Sequence, residues 1–234
     1  MKLEKVTDSD LSPRRRYYDD ACGTAHGLEL VGERWALLVL RELMLGPKRF
    51  SDIRADLPGI SANVLTQRLE GLEKAGLLIR RKLPPPSSAQ VYELTEWGYE
   101  AEPVIQTLGR WAVRSPGHDP SMQISAVSLM LSFRTMIDAE RAKGIDAKIG
   151  FRLGAESFLG RIADGGIEIK RDALDEADTI FTGAPPALAA AVYGGEPLDT
   201  LAEAGMLKVT GDRALAERFL TLFPLPPKFE PPGA

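Results

Sequence analysis

The sequence predicts an α+β protein in two parts. A small helical unit closed by a two-stranded hairpin comes first, then a mainly antiparallel sheet covered by helices. Three observations carry this prediction. Between Leu28 and Ala75 apolar residues recur at helical spacing, and the pattern is cut at Gly46-Pro47 and again at Pro58-Gly59. From Leu77 to Leu94 a basic strand, a triple-proline stretch and a second strand follow one another. After Asp146 the apolar period switches to two.

The elements follow in order. Leu28, Val31, Trp35, Leu38, Val39 and Leu45 form one stripe, so a helix is expected over Leu28–Leu45, stopped by Gly46-Pro47. Phe50–Leu57 is a short second helix with Ser51 as its cap and Phe50, Ile53 and Leu57 on one face. Ser61 is placed to cap a third helix, Ser61–Ala75, whose Leu65, Leu69 and Leu72 turn to the core. Asn63, Thr66 and Gln67 are then left outside, near the helix start. Such neutral side chains can bond the edge of adenine in a major groove, while Arg68 and the helix N-terminus favour phosphate. On a lone helix these residues would be a solvated polar face; the order of elements favours a recognition helix.

Gly76 ends that helix, and Leu77–Lys82 reads as a strand ending in Arg80, Arg81 and Lys82. Leu83–Ala89 cannot be regular structure, because its three prolines remove donors and fix φ. Gln90–Leu94 is the returning strand. A basic hairpin with a stiff tip, directly after such a helix, has the form of a wing lying along phosphates, and the unit is a winged helix-turn-helix. Thr95–Val113 is one more helix, kinked at Pro103. Its face of Ala101, Val104, Ile105, Leu108, Trp111 and Ala112 exceeds what a small winged core needs.

Charge agrees with this division. Residues 34–82 hold ten Lys or Arg against five Asp or Glu, inside a 234-residue chain whose formal net charge is −4. Residues 1–118 carry 17 basic and 16 acidic side chains, and residues 119–234 carry 12 and 17, so only the first part is a candidate for nucleic acid. No apolar run approaches the roughly 20 residues of a membrane span, and Met1–Asp10 lacks the apolar core of a signal peptide. With a single Cys, a cytoplasmic chain without internal disulfides is expected.

Ser115–Pro120, all turn formers, places the domain boundary at 118/119. A long helix is expected over Met122–Lys143, then alternating strands at 147–153, 158–163 and 167–170 with a hairpin at Asp164-Gly165-Gly166. Thr179–Thr182 is another strand, Pro185–Val192 a helix closed by Gly194-Gly195, and Leu207–Val209 with a helix over Asp212–Leu222 completes the domain. Pro224–Ala234 is an extended, polyproline-like tail.

Residues 17–114 resemble the HxlR-type winged-helix regulators. The resemblance rests on Cys22, the run Gly32–Leu43, Gly46–Ile53, Leu57–Ser61, Val64–Leu69, Leu72–Leu77 and Tyr92–Gly98. The family's usual Gly-Lys-Trp is Glu-Arg-Trp here, at Glu33–Trp35, which keeps the basic residue. The resemblance implies a homodimer, built from the first helix and the helix after the wing, on a pseudo-palindrome in double-stranded DNA. Expected DNA contacts are Lys48, Arg49, Ser61, Asn63, Thr66, Gln67, Arg68, Arg80, Arg81, Lys82 and Gln90. In some members a Cys near this position senses oxidants or electrophiles, which makes Cys22 a redox candidate; the alternative is a small packing residue near the dimer interface. Asp19 and Asp20 oppose a thiolate there, whereas Arg14–Arg16 and His26 favour one.

Residues 121–224 resemble the sterol-carrier-protein-like domain through Asp178–Gly183, Gly194–Pro197 and Gly205–Asp212. That resemblance implies an apolar tunnel and an apolar small-molecule effector. Phe151, Phe158, Ile167, Ile169, Phe181, Val192, Tyr193, Met206 and Phe219 are its candidate lining, each also explicable as ordinary core. Two histidines, no zinc-ligand spacing, no phosphate loop and no Gly-x-Ser-x-Gly elbow argue against an enzyme, and no cofactor or metal is expected. The expected function is a DNA-binding regulator modulated by an apolar ligand; the alternative is a regulator acting through Cys22.

Overall fold

The computed structural model describes residues 18–230. Met1–Asp10, Arg14–Arg16 and the end of the tail, 231–234, lie outside the described residues.

The single helix expected over Leu28–Leu45 is two helices, α1 (Gly23–Val31) and α2 (Ala36–Leu43). Trp35 takes a left-handed conformation, φ 80°, at the start of α2. Its indole edge lies 3.9 Å from the position a Cβ would take on Gly59, so tertiary packing breaks the local helical pattern. Next comes α3 (Phe50–Asp56), whose N-cap is Arg49 without a side-chain bond. Ser51, expected as the cap, lies inside the first turn and donates to the Asp52 carboxylate. In α4 (Ala62–Lys74), Ser61 Oγ accepts from the Val64 amide at 3.2 Å, as the spacing predicts.

The wing pairs β1 (Leu78–Lys82) with β2 (Gln90–Leu94), antiparallel, setting Leu78 opposite Leu94 and Lys82 opposite Gln90. Lys48 adds a third, one-residue rung: its amide donates to the Tyr92 carbonyl and its carbonyl accepts from the Tyr92 amide. The helix expected over Thr95–Val113 divides into α5 (Glu96–Tyr99) and α6 (Glu102–Ala112). Pro103 does not kink a continuous helix; it sits in the first turn of α6, where its missing N–H has no partner to lose.

The long helix expected from Met122 is also shorter. Ser125 caps α7 (Ala126–Met136) by accepting from Ser128, the chain turns at Ile137, and Asp138 caps α8 (Ala139–Ala142). The sheet contains β3 (Ala147–Leu153), β4 (Glu156–Ala163), β5 (Gly166–Arg171), β6 (Thr179–Gly183) and β7 (Leu207–Gly211). Their order is β5-β4-β3-β6-β7, antiparallel except for the parallel β3/β6 pair. The β4–β5 turn is Asp164-Gly165, both at positive φ, as a primed two-residue turn demands. Three helices follow: α9 (Pro185–Tyr193), α10 (Leu198–Glu203), which the sequence pattern did not reveal, and α11 (Arg213–Leu220).

Alternate sheet residues Ile149, Phe151, Leu153, Phe158, Ile162 and Phe181 point inward under α7 and α11. The core continues into the winged unit, because α7 also packs on α2 and α6. Arg134 of α7 pairs with Glu102 of α6 at 3.1 Å, and Arg110 donates to the Thr135 carbonyl at 3.2 Å. The tail then returns to the end of α6. Lys228 Nζ donates to the Val113, Ser115 and His118 carbonyls, and the Phe229 amide to that of Arg114.

Candidate nucleic-acid interface

One face of α4 is fully buried through Leu65, Leu69 and Leu72, so the helix cannot rotate without exposing three leucines. That anchorage leaves Asn63, Thr66 and Gln67 exposed within its first two turns. Ser61 is exposed too, with its hydroxyl already engaged by the cap. On the wing Arg80, Lys82 and Gln90 are exposed; Arg80 stands opposite Tyr92 and Lys82 opposite Gln90, so all three share one side of the ladder. Arg49, exposed before α3, reaches across to the wing tip and donates to Ser87 Oγ at 3.3 Å. Asn63, Thr66, Gln67, Arg49, Arg80, Lys82 and Gln90 thus offer neutral readers and cations to solvent. Arg34 and Arg54 are exposed cations as well, which local sequence signals beyond their charge do not mark.

Three expected DNA contacts have other partners. Arg68 turns back from α4, donating from Nε to the Arg34 carbonyl at 3.0 Å and pairing with Glu33 at 3.2 Å. It fastens the α1–α2 turn to the recognition helix. Arg81 lies on the opposite side of the wing from Arg80 and Lys82, half-buried and paired with Glu93, whose hydrogen bond raises the guanidinium pKa.

Lys48 is the clearest correction, because its side chain is only 4% exposed. Its ammonium lies 3.3 Å from Glu42, 2.5 Å from Asp56 and 3.3 Å from Glu156. Burial opposes the charge, but Glu42, Glu156 and Asp56 outweigh it and raise the Lys48 pKa above its usual value. Asp56 is raised by burial and by its carboxylate neighbours despite Lys48. Glu42, fully buried, also receives Arg41 at 2.7 Å and the Ser125 hydroxyl at 2.8 Å. A hydrogen-bonded buried cluster of this kind holds a specific arrangement, since removing one charge strands the others.

The residues expected to line an apolar tunnel are packed as core instead. Phe133, Phe151, Phe181, Phe219 and Phe223 form one aromatic cluster with neighbouring centroids 4.7–6.1 Å apart. Phe158, Ile167 and Ile169 are buried in the same core, and Val192 packs against it. Tyr193 donates or accepts at 2.8 Å with Ser132, and burial pushes its phenol well above its ordinary pKa. Met206 is 52% exposed and belongs to no interior. A cleft of about 770 Å³ does open beside β4 and β5, but most of its lining is charged and includes the ion pairs Lys148–Glu176 and Lys170–Asp172.

Two further features are exposed. Val104, Leu108 and Trp111 make an apolar stripe along α6, with Trp111 70% exposed. Cys22 stands exposed at the N-cap of α1, where hydrogen bonds from Thr24 and Ala25 lower the thiol pKa.

Fold and surface together define a winged helix-turn-helix protein of DNA-binding type. The chain belongs to the HxlR-like helix-turn-helix family, matched over residues 30–119, and is a transcriptional regulator of that family. The HTH-type transcriptional regulator YodB of Bacillus subtilis (strain 168) is 40% identical over 83 residues, which span 36% of this chain and 74% of YodB. The solved quinone-bound YodB is 34% identical, covering 39% of this chain and 96% of that one with a TM-score of 0.34. Residues 118–230 match the alkyl sulfatase C-terminal family, whereas the expected resemblance is to a sterol-carrier-like domain. The sec-alkylsulfatase Pisa1 from Pseudomonas sp. is 18% identical, covering 45% of this chain and 16% of that one with a TM-score of 0.39. Among the described residues no helix is long and apolar enough to cross a membrane.

Proposed function

We propose that the chain is a cytoplasmic homodimer that reads a pseudo-palindromic operator in double-stranded DNA, and that it is a regulator and not an enzyme. The carrying observation is the capped helix α4, pinned by three buried leucines, with Asn63, Thr66 and Gln67 free on its leading turns. Placed in the major groove, these side chains read base edges while Arg49, Arg80, Lys82 and Gln90 hold the backbone. The α6 stripe of Val104, Leu108 and Trp111 joins the two protomers and sets the distance between their recognition helices. Selection of duplexes from a random-sequence library tests this directly. One symmetric site should be enriched, and Gln67→Ala should relax preference at one base pair per half-site by about 1–3 kcal/mol. Enrichment of no sequence would sink the reading.

In this reading the domain at 119–234 is the control element, and its resemblance in sequence to sterol-carrier-like domains points to an apolar small molecule as the effector. The aromatic cluster is close-packed, so such a ligand must displace side chains of this core to bind there. Titrating fatty acids and sterols against the operator complex checks it. Unchanged operator affinity throughout would leave the domain as a structural mount.

A second reading is favoured by the exposed thiol of Cys22, whose pKa is lowered by hydrogen bonds from Thr24 and Ala25. There the thiolate adds to an electrophile such as a quinone and alters operator release. Cys22→Ser should abolish the response, and a response unaltered in that variant discards the idea.

A further inference from the structure

The Lys48 cluster joins four elements through one side chain. Lys48 is hydrogen-bonded in the backbone to Tyr92 of the wing, while its ammonium reaches Glu42 of α2, Asp56 at the end of α3, and Glu156 of β4. The first three belong to the DNA-reading unit; Glu156 belongs to the C-terminal domain. Arg171 of β5 completes the joint from that same side. Its Nε donates to the Leu45 carbonyl at 2.8 Å, its Nη2 lies 2.6 Å from Glu156, and its guanidinium stacks over Phe158 at 4.8 Å. Gly46, at φ 114°, keeps the chain close beneath the Arg171 stem, 3.7 Å from where its Cβ would stand.

We infer that Glu156 and Arg171 are positioning residues for DNA binding: the C-terminal domain fixes the angle between α3 and the wing by holding Lys48 and the α2–α3 loop. Neither side chain touches DNA. Lys48 sits where α2, α3 and the wing meet, so a shift of the β4–β5 hairpin moves the phosphate-binding wing relative to α4. Lys48 and Glu42 are buried at its centre while Asp56, Glu156 and Arg171 close it from the rim, which makes its geometry discrete. Loss of the Glu156 charge leaves Arg171 without its carboxylate and Lys48 with one partner fewer.

This inference rests on the operator-binding reading, and its test separates the two. Operator affinity of the full chain is measured on a library-selected duplex between 50 and 200 mM salt, for wild type, Glu156→Gln, Arg171→Lys and the wing variant Lys82→Gln. Lys82→Gln should lower the slope of log affinity against log salt by about one, as loss of a phosphate contact does. Glu156→Gln and Arg171→Lys should weaken binding by about five-fold or more at every salt concentration with the slope unchanged. Amide exchange in residues 49–57 and 90–94 should quicken in both. Arg171→Lys keeps the charge, so it answers the question even where Glu156→Gln folds poorly. Affinity within two-fold of wild type in both variants, or a slope change matching that of Lys82→Gln, overturns the positioning role. A wild type that retains no duplex overturns the DNA reading and this role with it.

Discussion

The Nε of Arg68 donates to the carbonyl of Arg34 at 3.0 Å, tying the recognition helix to the turn between α1 and α2. The same guanidinium pairs with Glu33, which is largely exposed, so most of its contribution comes from the hydrogen bond rather than from the ion pair. Arg68→Ala should therefore lower stability by about 1 kcal/mol in urea unfolding while leaving the salt slope of DNA binding unchanged. A lowered slope with unaltered stability would return Arg68 to the phosphate contacts.

The open face of α6 predicts self-association through Trp111. Trp111→Glu places a charge in the centre of a stripe otherwise formed by Val104 and Leu108. Sedimentation velocity should show the dimer weakened by about 2 kcal/mol or more, with the far-ultraviolet spectrum retained. An unchanged dimer would move the interface elsewhere.

Phe133 is central to the aromatic cluster, touching Phe151, Phe219, Phe223 and Tyr193. Phe133→Ala should cost about 3–5 kcal/mol. Tyr193→Phe loses one bond to Ser132 and should cost only about 1 kcal/mol. Denaturant titration of both variants measures the contrast; equal losses would mean that the core is loosely packed around α9.

Cys22 should react as a more acidic thiol than cysteine in a peptide. Its folded-state pKa is depressed, so the thiolate is populated at lower pH than in the unfolded chain and is lost as pH falls through the folded value. The pH profile of iodoacetamide alkylation should have a midpoint below that of the urea-unfolded protein. Coincident midpoints would remove the chemical basis for sensing at this residue.

The legible parts of this structure are those set by near neighbours. Ser61 announces α4 because its acceptor bond closes on Val64, and Asn63, Thr66 and Gln67 fall outside once Leu65 and Leu69 go inside. Asp164-Gly165 marks the β4–β5 turn for the same local reason. Distant partners decide the rest. Nothing near Lys48 in the chain reveals that Glu156 will claim its ammonium, and no local pattern shows Trp35 leaving the helix to meet Gly59. In α10, six residues are too few to display a period. No open tunnel is present between sheet and helices among the described residues, because five phenyl rings fill that space.

Lys228 and Phe229 bring the end of the second domain back to the helix from which that domain departs. A body fastened at both its entry and its exit has lost the freedom to swivel on a tether. Its orientation travels with α6, so in a symmetric pair the two C-terminal bodies would keep one fixed outline relative to the twofold axis. Cutting the tail before Lys228 should free only that exit, because α7 still packs on α2 and α6 and Glu156 still holds Lys48. Amide exchange at residues 113–118 should then quicken while the solution scattering profile keeps its shape.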